Sequence, residues 1–186
     1  PGGIEILPAS SGAREFSELT GEEKLALKTE LEALEENYDF ILFDIGAGIS
    51  SNVMYFCSAA SEIAVITTGE PTAFADAYAL IKVLSRSYDT HNFKLIVNNV
   101  KTSYEGENVK SRLEKVADRF GLNVRLDFLG HIPTDDSVSR AVRSQRLFIE
   151  AYPNSKAAEA IRRIASRLII SRDPVESIGW EKALSI

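Results

Sequence analysis

The order of apolar runs and helical patterns predicts an α/β protein: a mostly parallel sheet flanked by helices on both faces. Three observations carry this. Short apolar runs at residues 4–7, 40–43, 63–67, 94–98 and 128–132 read as strands. The middle three are apolar at consecutive positions, which suits parallel strands covered on both faces. Segments of helical period lie between the runs.

The helices follow in order. Thr20 and Glu23 form a capping box, and Leu27, Leu31 and Leu34 follow at helical spacing. Val53, Phe56, Cys57 and Ala60 share one face of a second helix. Phe74, Ala77, Tyr78, Ile81 and Leu84 share a face of a third, with Thr72 as its expected N-cap. Val109, Leu113, Val116, Ala117 and Phe120 mark a fourth, which Gly121 can end. Asp135 or Asp136 caps a short helix through Val142. Asn154 or Ser155 caps the last, which carries Ala157, Ile161, Ile164, Ala165 and Leu168.

At 186 residues, 45% hydrophobic and 26% charged, the chain suits one soluble globular domain over residues 1–172, with a tail at 173–186. No apolar run is long enough to span a membrane. Pro1, Gly2 and Gly3 lead straight into a strand-like run, so no signal peptide is expected. The single cysteine, Cys57, excludes an internal disulfide and fits a reducing cytoplasm. The net charge of −6 is uneven: residues 1–50 hold 11 acids and 3 bases, residues 101–172 hold 14 bases and 9 acids. The basic end reads as solvated helix faces or as a partner surface.

Ligands of such sheets bind beyond the carboxyl ends of the strands. There the sequence offers four strings. In Asp44-Ile45-Gly46-Ala47-Gly48 a carboxylate follows an apolar run, and two glycines let the backbone approach a ligand. Asp44 reads either as a magnesium ligand beside a polyphosphate or as the cap of the next helix. Pro71 and Thr72 are helix-start chemistry, and Glu70 and Asp76 complement the helix dipole. Asn98 offers the donor and acceptor an adenine edge requires, or ties down its own loop. Ile132-Pro133-Thr134-Asp135 walls a base pocket or simply joins strand to helix. His91 and His131 have no companions at ligand spacing, so neither a metal cluster nor a nucleophilic triad is expected.

Taken in order, these strings resemble the MinD/ParA family of deviant P-loop ATPases. Asp-x-Gly-Ala-Gly looks like the family's Walker B and switch II segment. Asn98 matches its adenine-contacting asparagine, and Ile132-Pro133-Thr134-Asp135 its second base-wall loop. The stretches from Asp44 to Val53, Glu70 to Ala73, Asp76 to Lys82 and Tyr152 to Ser155 resemble its FlhG/FleN branch, which regulates flagellar number and placement.

The resemblance implies a P-loop NTPase fold, an ATPase and an ATP-bound homodimer. Asp44 would hold Mg2+ through water and place the attacking water. Gly46 and Gly48 would face the terminal phosphate, and Asn98, Pro133 and Asp135 would bind the base. No Gly-Lys pair occurs in the sequence, so the two-lysine phosphate loop has no counterpart. The chain is therefore expected to be N-terminally truncated relative to the family and hydrolysis-incompetent alone.

A flagellar assembly GTPase, switch-complex proteins or a transcription activator are the implied partners. The implied location is the cytoplasm, with peripheral contact at the inner membrane, though Glu176 and Glu181 in the tail oppose anionic lipid. Two alternatives are a non-enzymatic interaction module and a ParA-type partitioning ATPase. For the latter, Arg140, Arg143 and Arg146 would touch DNA; DNA is the less expected partner.

Overall fold

The computed structural model describes residues 3–7, 20–35 and 37–170. The expected tail at 173–186 lies outside the described residues. Three strands, β1 (Ala64–Thr67), β2 (Asn92–Val100) and β3 (Arg125–Pro133), form one parallel sheet in the order β1-β2-β3. Around it lie α1 (Gly21–Glu35), α2 (Ser51–Ala59), α3 (Pro71–Ser87), α4 (Ser103–Arg119), α5 (Asp136–Arg143), α6 (Phe148–Ala151) and α7 (Lys156–Ile170).

Local chemistry explains where the helices start. At α1, Thr20 N donates to Glu23 Oε2 at 2.8 Å and Glu23 N to Thr20 Oγ1 at 3.3 Å, a reciprocal capping box. Ser50, Thr102 and Asp135 cap α2, α4 and α5 through their side chains. Ser155 takes the Ala158 amide at 3.2 Å at the start of α7. The expected Thr72 cap is corrected. Pro71 occupies the first helical position with its φ already fixed, so α3 starts earlier, after Glu70. Gly121 ends α4 at φ +65, a left-handed conformation that favours glycine. The one-turn helix α6 was not expected, since four residues carry no period.

The core lies on both faces of the sheet. On one face, Val65, Leu95 and Val97 pack with Ile81 and Leu84 of α3 and Val109 and Leu113 of α4. On the other, Ile96 and Leu129 pack with Ile164 of α7. Three elements are tied where the strands begin. Lys94 of β2 lies 2.8 Å from Asp127 of β3 and 3.7 Å from Glu62, just before β1. The Asp127 hydrogen bond raises the Lys94 pKa despite partial burial.

Two expected strands do not form. Residues 4–7 and 40–43 are not strand and carry exposed apolar side chains, Leu42 among them at 82%. A strand exists only as part of a ladder of backbone hydrogen bonds, and the described sheet consists of β1, β2 and β3. The expected two-faced cover also fails at β1. Val65 and Thr67 are buried, but Ile66, on the face that α7 covers over β2 and β3, is 62% exposed. Among the described residues no helix is long and apolar enough to cross a membrane.

Candidate functional site

The site residues fall into two groups. The first lines a cleft of about 580 Å3 between the 38–48 segment and β1. Asp44, Gly46 and Gly48 line one side. Ile63 to Ile66 line the other, with Ala73 and Asp76 from the first turns of α3. Asp44 is exposed and does not cap α2, because Ser50 takes that role through the Val53 amide. Gly48 has φ +125 and open space where a Cβ would stand. Glycine is therefore required there by backbone conformation, not by a close neighbour.

The second group sits where β2 and β3 end. The register shifts between Val97 and Val100, so Asn98 and Asn99 form an irregularity in the strand. Asn99 adopts φ +57, and its amide donates to Asn98 Oδ1 at 2.8 Å. Such a bulge re-aims side chains at the end of a ladder. Asn98 is exposed, and its Nδ2 donors stay open among the described residues. The loop-tying reading holds for its oxygen, which takes the Asn99 amide. Thr134 laces the two strand ends together. Its Oγ1 donates to Asn99 Oδ1 at 2.9 Å and its amide to Val100 O at 2.9 Å, with Pro133 opposite Val100.

Asp135 is committed to the scaffold. Its Oδ1 accepts from Ser137 N at 2.9 Å and its Oδ2 from Ala157 N at 3.1 Å. One carboxylate therefore caps α5 and also holds the first turn of α7, 22 residues further on. The Ser137 hydroxyl and the Ala157 and Ser137 amides crowd this carboxylate and hold its pKa down to about 2. The two amides make the well-formed bonds; the buried hydroxyl closes none of normal geometry. Each side-chain oxygen thus already accepts one backbone amide.

Two residues that the sequence reading passed over hold this edge in place. Gly106, in the first turn of α4, lies so close to β3 that a Cβ would come 2.9 Å from His131 Cβ. Glu105 takes the Lys101 amide at 2.8 Å and fills the space beside Gly69. The Thr102-x-x-Glu105 spacing was the available signal for the second. Among the described residues no hydrogen bond or ion pair joins the Asp44 group to the Asn98–Asp135 group.

No protein-family model matches the chain. Known relatives do. The chain is 39% identical over 168 residues to the antiactivator FleN of Pseudomonas aeruginosa, covering 90% of this chain and 60% of that protein. It is 32% identical over 167 residues to the flagellum site-determining protein YlxH of Helicobacter pylori, covering 90% and 56%. The MinD cell division protein of Aquifex aeolicus superposes with a TM-score of 0.62 at 26% identity, over 85% of this chain and 64% of that one. The chain thus spans about 60% of the length of these relatives.

Fold, strand-end motifs and relatives together define the class the chain resembles, the MinD-type proteins. Within that class it is similar to the two flagellar proteins, at 39% and 32% identity.

Proposed function

We propose that this chain is the switch and base-binding part of an ATP-dependent dimerisation switch that sets flagellar number or placement. The supporting observation is the order of the strand-end residues. Asp44 with Gly46 and Gly48, Asn98, and Pro133 stand after successive sequence runs, in the order the resemblance requires.

In this reading the Asn98 donors and the Pro133–Thr134 loop hold the base, while Asp135 holds that loop. Asp44 meets magnesium through water. Among the described residues no group of three or more His, Cys, Asp or Glu side chains is placed to hold a metal. That fits magnesium, which keeps several waters and takes its other ligands from phosphate oxygens and one or two carboxylates. Bound magnesium would neutralise charge on the phosphates. Phosphate contact falls to the backbone around Gly48. With no Gly-Lys phosphate loop in its 186 residues, the chain alone holds nucleotide weakly and does not turn it over.

Equilibrium dialysis with radiolabelled adenosine and guanosine nucleotides tests the base side. The expected result is weak, adenine-selective binding that Asn98→Ala removes. Equal binding of both bases, unchanged in that variant, would refute the assignment.

A further inference from the structure

The exposed turn between α5 and α6 carries a surface the nucleotide reading does not use. Every residue from Val142 to Leu147 is exposed. Val142 and Leu147 are each 69% exposed and Ile149 is 38% exposed, an unusual grouping of aliphatic side chains on one short stretch. Arg140, Arg143 and Arg146 alternate with them. Among the described residues none of the three sits in an ion pair. Arg140 stacks on Tyr152, 5.2 Å from the ring centroid, and contributes to the field at Asp135. The only nearby acid on α6 is Glu150.

The turn is also strained. After α5, the Ser144 amide returns to Arg140 O at 3.1 Å and the Arg146 amide to Ala141 O at 3.0 Å, which closes the helix. This closure puts Gln145 at φ +50, a left-handed conformation where glycine is the usual residue. The strain presents Arg146 and Leu147 outward, beyond the end of α5.

We propose that the α5–α6 surface docks an acidic, leucine-bearing segment of another protein. Charge complementarity selects the acid: Arg143 and Arg146, beside the Tyr152-stacked Arg140, favour carboxylates, which guanidiniums hold bidentately. The aliphatic side chains select a protein over nucleic acid. Phosphate contact draws on cations and neutral hydrogen-bond donors and has no use for aliphatic side chains, whereas protein interfaces combine arginine with a desolvated apolar centre. An amphipathic helix with leucines at i, i+3, i+4 and i+7 satisfies both demands. The inference is independent of the nucleotide reading, because binding here needs no nucleotide.

The test is fluorescence anisotropy with the whole chain and a labelled peptide of about 14 residues, leucines at that spacing and glutamates between. Binding is expected to fall tenfold or more in Arg143→Gln/Arg146→Gln and, separately, in Val142→Ser/Leu147→Ser. Circular dichroism should show both variants melting as the parent does. Three results would each overturn the proposal. One is no binding of this peptide. Another is equal binding of a glutamate peptide without leucines. The third is binding of duplex DNA in place of the peptide, lost in the arginine variant. If a variant unfolds, excess unlabelled peptide that fails to protect Arg143 and Arg146 from phenylglyoxal in the parent chain would do the same.

Discussion

The two sides of the cleft carry similar sequence and differ in structure. Residues 40–43 and β1 are both short apolar runs that lead into a helix. β1 has β2 beside it, and its Val65 and Thr67 are buried. Residues 40–43 form no strand, and Leu42 stands in solvent. An apolar run gains full burial only when neighbours fix it on both sides, so β1 is built into the sheet while the Asp44 side rests on the packing of Phe43 on Phe56 of α2 and of Ile45 on the core. Burying one such side chain is worth roughly 1.5–3 kcal/mol. The open cleft therefore marks unrealised stability on the Asp44 side.

Substitutions on the two sides should separate accordingly in urea unfolding. The largest effect is expected at the core of β2. Leu95 is fully buried, and Leu95→Ala should cost about 2–5 kcal/mol through lost contacts and a cavity. A loss below 1 kcal/mol would mean that the built side is no better packed than the other.

Next is Asp135→Ala, which removes the acceptor for two helix starts and should cost about 2 kcal/mol. The same group sets an acid limit. Its folded pKa of about 2 lies below its ordinary value of 3.8. Its contribution is therefore complete above about pH 4 and is lost as the pH falls toward 2. Asp135→Ala should lose this part of the acid dependence. An unchanged acid profile would deny the carboxylate its double role.

Lys94→Met should cost about 1 kcal/mol, because the ion pairs it breaks are partly exposed. The smallest effect is expected at Leu42. Leu42→Ser should shift stability by less than about 0.5 kcal/mol. A cost approaching that of Leu95→Ala would erase the contrast between the two sides.

Helices were the more legible part of the sequence because their hydrogen bonds are local. The Thr20–Glu23 box, the Asp135 cap of α5 and Gly121 all act within a few residues, and each stands where the pattern placed it. Strands were legible as candidates only, since pairing depends on residues far along the chain; 63–67, 94–98 and 128–132 joined the sheet, while 4–7 and 40–43 are not strand. In the candidate site, Asn98 and Pro133 stand beside one another's strand ends as the order suggested. The second bond of Asp135 was not readable, because Ala157 comes close only after α5, α6 and the turn beyond them have folded. The bulge that aims Asn98 was equally hidden, since it is a mismatch between two strands and not a property of either.

In the proposed reading the Asn98–Asp135 group is the base side and the Asp44 segment the phosphate side, and the chain alone does not hydrolyse ATP. Steady-state phosphate release by the purified 186-residue chain with ATP and magnesium tests this most directly. The account predicts no release above the rate without protein, and no difference between the parent chain and Asp44→Ala. Robust release that disappears in Asp44→Ala would contradict it.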